Sequence, residues 1–155
     1  MAERVPPQNL DAEQSVLGAV LLDPDAAGRC ADLLRPEEFY REAHRRIWEA
    51  VLALSERRQA VDVITVGEEL GRSGQLEATG GLSYLSDLIA SVPATANAPH
   101  YARIVAEKAL LRDLLRATQE IAAAVDSGEE DADGLVDQAE AREKEVERSG
   151  KGEYP

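Results

Sequence analysis

A chain of 155 residues has room for one domain, or a small domain with an appendage, and with 44% apolar but only 4% aromatic residues its packing falls to Leu, Val, Ile and Ala, which favours helices. A formal charge of -13 speaks against a broad electrostatic hold on DNA, and the lone Cys30 rules out an intrachain disulfide and a cysteine-based zinc site. No run approaches the ~20 apolar residues that span a bilayer, and the start "MAER" lacks a signal peptide's apolar stretch, so a cytoplasmic chain whose partners are proteins is expected.

Apolar spacing near 3.6 organises nearly every segment. In "PPQNLDAEQSVLGAVLLD" Asp11 is placed to cap a helix, with Gln14 three residues on and Leu10 as its staple, and Val16, Leu17, Val20 and Leu21 form the inward stripe. Asp23-Pro24 ends that helix, and "DAAGRCADLL" supplies a short second one with Ala27, Cys30, Leu33 and Leu34 inward. After Pro36, "EEFYREAHRRIWEAVLALSERRQ" reads as a core helix with Tyr40, His44, Ile47, Val51 and Leu54 on one face and Phe39 and Trp48 beside it. "VDVITVGEELGRSG" has a β-branched start, but Asp62 as a cap and Glu68, Glu69 and Leu70 after it favour helix over strand. "LSYLSDLIASV" spaces Leu82, Leu85, Leu88 or Ile89, and Val92 helically until Pro93 stops it.

Asn97 then caps the longest element, in which only Pro99, tolerated in a first turn, interrupts the residues from Ala98 to about Val125. Such a helix is about 42 Å long, more than a head of this size covers, and its apolar positions continue to the far end. "DSGEEDADG", at 126–134, is an acidic loop, and the thirty residues from 126 on hold eleven acids and four bases, or -7 of the total charge. The helix-prone stretch from Ala132 can fold back as the second arm of a hairpin, but Leu135, Val136, Ala139 and Val146 make too thin a seam to satisfy the first arm. A second copy of the chain is the natural cover, through Leu114, Leu115, Thr118, Ile121, Ala122, Val125 and Leu135. The expected architecture is all-α, with a small globular helical head over 1–97, a long antiparallel helical hairpin over 98–149 and a frayed tail over 150–155.

The residues that could carry chemistry favour plain structural roles. His44 and His100 are the only histidines and form no metal-ligand spacing, and Cys30 lies on an apolar face with no base near it in sequence. Arg41, Arg45 and Arg46 stand among Glu37, Glu38, Glu42 and Glu49, as on a solvated ion-paired face; the competing reading is a small nucleic-acid-binding regulator using that face. The carboxylate pairs at 68–69 and 129–130 are adjacent along the chain, which suits solvation rather than acid-base work. No "GxxxxGK[ST]" phosphate loop occurs, and no nucleophile is paired with a base, so no catalytic, cofactor or metal site is expected.

Taken together, "PPQNLDAEQSVLGAVLLD", "RPEEFYREAHRRIWEAVLAL", "VDVITVGEEL" and "TGGLSYLSDLIASVPATANAPHYARIVAEKALLRDLL" follow one another as in the N-terminal domain of DnaB-type bacterial replicative helicases, which this chain resembles from about Val5 to Ala123. The resemblance implies a helical head and hairpin that form the collar of a hexameric ring, with hairpins pairing domains into dimers and three dimers closing the collar. It also implies docking of the C-terminal helicase-binding domain of primase near Asp11 and Tyr84, and a helicase loader as a further partner. The RecA-type motor of such helicases, with its ATP and magnesium, is absent from these 155 residues. Where the family carries an apolar pair that docks its linker helix on a neighbouring motor, this chain has Glu143 and Lys144, so that linker role is not expected of the tail.

Overall fold

The computed structural model describes residues 5–151; the charged start at 1–4 and residues 152–155 of the expected tail lie outside the described residues. All regular structure described is helical, in the order α1 (Leu10–Leu22), α2 (Pro24–Cys30), α3 (Glu42–Glu56), α4 (Val63–Arg72), α5 (Gly81–Ala90), α6 (Ala98–Ser127) and α7 (Ala132–Gly150), with single 3-10 turns at Pro36–Glu38, Glu77–Thr79 and Thr95–Asn97. The chain forms two compact units, a head of residues 8–106 and a second unit whose described part is residues 5–7 and 107–151. Their border lies inside α6 because Ala98, Ala102 and Val105, in its first turns, are buried in the core of the head.

In the head, α1 is the central element. Its cap is Asn9, whose side chain accepts from the Ala12 N–H at 2.9 Å, and not Asp11, which lies in the first turn and is exposed. Asp11 there still favours the helix by placing negative charge at its positive end. Val16, Leu17, Val20 and Leu21 are buried as the spacing predicts, but so are Ala12, Glu13, Ser15, Gly18 and Ala19. A helix buried nearly all round belongs in the middle of its unit. At Gly18 the backbone meets α5 directly: an added Cβ would overlap the Leu88 carbonyl oxygen and Val92 Cγ2, and would sit 2.8 Å from the Leu88 carbonyl carbon.

Pro24 opens α2 on the Asp23 cap, and Ala27, Cys30 and Leu34 face inward, whereas Leu33, expected with them, is 37% exposed. The helix has ended at Cys30, so the 3.6-residue phase no longer governs Leu33. Burial pushes the Cys30 thiol up from its ordinary value, with Arg29 opposing weakly. The stretch after Pro36 is not one helix from Glu37: α3 begins only at Glu42, after an extended Phe39–Arg41 link. The reason is long-range, because the Tyr40 and Arg41 N–H groups donate to the Glu13 carboxylate on α1, at 2.8 and 3.4 Å, instead of entering a helix. Ile47, Trp48, Val51 and Leu54 are buried as expected; Tyr40, outside the helix, is only half-buried. Trp48 donates its indole N–H to the Leu34 carbonyl at 3.0 Å and packs 5.6 Å from the Phe39 ring.

The segment after Val61 is a helix, as the Asp62 signal indicates. Asp62 accepts from the Thr65 N–H at 2.8 Å while the Thr65 hydroxyl accepts from the Asp62 N–H at 2.9 Å, closing a reciprocal cap that overrides the β-branched residues. Gly80, at φ 103°, turns the chain into α5 in a conformation that an L side chain resists, and a Cβ there would press on Tyr84 Cβ at 2.6 Å. In α5, Leu85 and Leu88 are buried, but Leu82 is 51% exposed, its Cδ2 resting in the space left by Gly67 of α4.

The second unit is an antiparallel hairpin. Asp131 caps α7 by accepting from the Gly134 N–H at 2.9 Å, so the connecting loop is shorter than the predicted 126–134 and lies at 128–131. The arms meet along their length: the backbone of Gly150 lies close to Leu110, Arg142 bridges Asp113 and Glu120, and Ile121 and Ala124 face Leu135 and Ala139. Arg112 donates to the Pro7 carbonyl at 2.8 Å, tying the described start of the chain to the same unit.

Candidate interaction surfaces

A polar chain runs through the head. Glu13 and His44, each 1% exposed or less, face one another with the carboxylate oxygen 2.7 Å from Nδ1 of the imidazole. Nε2 of the same ring lies 2.6 Å from the hydroxyl of Tyr84, whose half-buried ring stacks on the imidazole at 6.0 Å, 8° from parallel. The Tyr84 oxygen also accepts from Arg41 at 3.1 Å, and the guanidinium carbon stands 5.2 Å from the centre of the Tyr84 ring. The chain thus ties the first turn of α1, which carries Asp11, to the first turn of α5, which carries Tyr84, through buried polar groups that are hydrogen-bonded to one another.

The remaining candidates are placed plainly. His44 is buried between Glu13 and Tyr84, partners that no local pattern indicates; His100 is exposed beside Tyr101. The basic cluster divides: Arg45 and Arg46 pair with Glu42 at 3.5 and 2.9 Å, and Arg45 also donates to the Phe39 carbonyl at 2.7 Å. That leaves Arg41 alone of the three without a carboxylate among the described residues. Glu69 accepts from Arg57 at 2.6 Å, a hydrogen bond that holds its carboxyl below the usual range, and Glu68 is exposed. Among the described residues no three His, Cys, Asp or Glu side chains converge as a metal site, and no helix is long and apolar enough to cross a membrane.

On the hairpin, α6 carries two stripes. At about 100° per residue, Leu110, Asp113, Ala117, Glu120, Ile121 and Ala124 point towards α7, while Leu111, Leu115, Thr118, Ala122 and Val125 fall within about 40° either side of a line on another face, with Leu114 at its edge. Burial follows this division: Ala117 is 3% exposed, whereas Leu111, Leu114, Leu115 and Val125 are 39–54% exposed and Thr118 and Ala122 are also exposed. Ile121 and Leu135 are half-buried, across an open cleft of about 280 Å³ between the arms that Ala124, Ala139 and Arg142 also line. The seven residues expected to meet a second copy therefore divide into an outer set of five on α6 and two, Ile121 and Leu135, that lie against one another's helix.

Arg142, unremarked in the sequence, is the clamp of the hairpin. It donates at 2.8 Å to both Asp113 and Glu120, which raise its pKa above its ordinary value in that order of effect. Arg142→Met keeps the stem but removes the bonds to Asp113 and Glu120, and with Glu120 half in water these together contribute ~1.5 kcal/mol, about a factor of ten. Backbone amides of α7 near position 142 should then exchange with deuterium about tenfold faster, with total helix content unchanged. Equal exchange rates would show that apolar packing alone holds the arms.

Comparison with known proteins places this geometry. The family model described as the DnaB-like helicase N terminal domain matches residues 5–107. The replicative DNA helicase DnaB of Geobacillus stearothermophilus is 48% identical over 145 residues, which are 94% of this chain and 32% of that protein. The chain spans about a third of the length of that relative. Among solved structures, the N-terminal domain of DnaB helicase from Mycobacterium tuberculosis superposes with a TM-score of 0.85 at 48% identity, covering 89% of this chain and 98% of the other. A DnaB-like replicative helicase whose structure describes its interactions with primase superposes at 0.76 with 29% identity, over 95% of this chain and 33% of that one. The chain belongs to the DnaB-like helicase N-terminal domain family.

Proposed function

We propose that this chain is the non-catalytic assembly and docking domain of a replicative DNA helicase. Its hairpins pair the domains into dimers, three dimers close a hexameric collar, and the head offers Asp11 and Tyr84 to the C-terminal helicase-binding domain of primase. The observation that carries the reading is the outer stripe of α6. The inward face of that helix is already closed by α7, so Leu111, Leu114, Leu115 and Val125 stand in water unless another chain covers them. A two-fold axis would let the same stripe on a second copy cover them, with Ile121 and Leu135 forming the floor behind it. Docking is supported by the meeting of the first turns of α1 and α5, and by the primase interactions described for the related helicase.

The mechanism is mass action: a rigid collar holds the motors together and raises the local concentration of bound primase beside the unwound strand. ATP hydrolysis and magnesium belong, on this reading, to the motor of the whole helicase. Calorimetric titration of the primase helicase-binding domain into this chain tests the docking half. Tyr84→Ala is expected to weaken binding at least tenfold while the helical circular dichroism remains, with a small fall in melting temperature because His44 loses a partner. Unchanged affinity would remove Tyr84 from the docking surface.

A further inference from the structure

The Tyr84 corner is built from the inside. The Glu13 carboxylate receives the Tyr40 and Arg41 N–H groups and faces Nδ1 of His44, so as an acceptor on every side it selects the imidazole with its proton on Nδ1. Nε2 then carries no proton, and its hydrogen-bond partner among the described residues is the Tyr84 hydroxyl, at 2.6 Å. The phenol proton points inward to that nitrogen, and the lone pair left on the phenol oxygen takes the N–H of Arg41. Arg41 is exposed, is held over the ring, and among the described residues has no carboxylate partner of its own, although Arg45 and Arg46 beside it do. What this corner shows to a partner is therefore a set of donors and an aromatic edge.

We propose that Glu13 and His44 are positioning residues for the docking surface, fixing the Tyr84 hydroxyl so that it orients the Arg41 guanidinium for a carboxylate of the partner. The inference rests on the docking role of Tyr84 and adds to it the chemistry of the contact and the buried pair that sets it. Without the pair the phenol would rotate freely, and Arg41 would lose the acceptor that holds it over the ring. A free guanidinium reaches a carboxylate too, but only after its rotamers are ordered, which weakens the contact.

Two measurements on the intact chain test this. Nitrogen-15 spectra of the His44 ring at neutral pH should show the proton on Nδ1 and a bare Nε2; a ring with the proton on Nε2, or on both nitrogens, overturns the proposal. Titration with the primase helicase-binding domain should show about tenfold weaker binding for Tyr84→Phe and for Glu13→Gln, and again about tenfold, not a hundredfold, for the two together, since they act through one hydroxyl. Additive losses overturn it. If Glu13→Gln does not fold, Arg41→Ala, a surface change, replaces it in the cycle with the same expected non-additivity, and its loss of binding should shrink as salt is raised. If Tyr84→Ala weakens binding but Tyr84→Phe does not, the partner reads the ring alone and this inference falls while the docking role stands. If Tyr84→Ala binds as the wild type does, the docking role itself fails, whatever the His44 tautomer.

Discussion

Leu115→Asp combined with Val125→Asp should lower the self-affinity of the chain at least about a hundredfold and leave a folded monomer. Both side chains lie on the outer stripe of α6, 43% and 54% exposed, and neither faces α7, so the hairpin itself loses no contact. Each apolar side chain fully buried at an interface contributes roughly 1.5 to 3 kcal/mol, and in a two-fold dimer both copies lose it at once. Each is already about half buried in the monomer, so two positions in two copies give ~3 kcal/mol, before the further penalty of an unpaired charge, and every ~1.4 kcal/mol is a factor of ten. Ile121 would be the poorer choice, since it lines the cleft opposite Leu135 and its loss would loosen the hairpin too. Sedimentation equilibrium at matched concentrations reads the result. A wild-type chain that stays monomeric at high micromolar concentration, or a variant that assembles equally well, would show that the stripe is not an interface.

The head should be equally sensitive at one glycine. Gly18→Ala is expected to lower stability by about 3 kcal/mol, at the upper end for overpacking, because the added carbon meets the Leu88 carbonyl group and Val92 rather than the end of a flexible side chain. Gly18→Val, with two more carbons, should fail to fold, since a domain of this size has only ~5 to 15 kcal/mol to lose. The same chemistry at Gly28, a helical position with nothing within 4 Å, should stabilise by up to ~1 kcal/mol through helix propensity. Urea midpoints of the two alanine variants, moving in opposite directions, check this. A Gly18→Ala midpoint equal to wild type would mean that α1 and α5 separate without penalty.

Helical periodicity made most of the head legible, because each element shows a buried face of aliphatic residues at the right spacing. Val16, Leu17, Val20 and Leu21, or Ile47, Val51 and Leu54, needed no knowledge of their neighbours. The misplacements share one cause, a partner distant in sequence. The expected helix from Glu37 could not reveal that Glu13, more than twenty residues earlier, takes the Tyr40 and Arg41 N–H groups and delays α3 to Glu42. Asp11 reads as the cap from local sequence, but Asn9 holds the position because the helix starts at Leu10. For the same reason the Glu13, His44 and Tyr84 chain was invisible, its members being 31 and 40 residues apart with no local pattern to join them. A charged residue at an inward position of an otherwise aliphatic helix was the one available signal, and Glu13 gave it. The outer stripe of α6 was legible because apolar spacing continues along a helix whatever covers it; Ile121 and Leu135 were grouped with it because only the phase of α7 distinguishes the two faces.

The seat of Trp48 gives the molecule a built-in spectroscopic division. It is the only tryptophan in the sequence, fully buried in the head and hydrogen-bonded to Leu34, while the hairpin arms over 107–150 contain neither tryptophan nor tyrosine. Fluorescence excited at the red edge of the indole band therefore sees the head alone, whereas far-ultraviolet dichroism sees every helix in proportion to its length, α6 and α7 included. Coincident transitions in the two signals would mean that the long helix couples its two units into one cooperative block; a dichroic loss that precedes the emission shift would mean that the arms can unzip while the centre of the head stays closed.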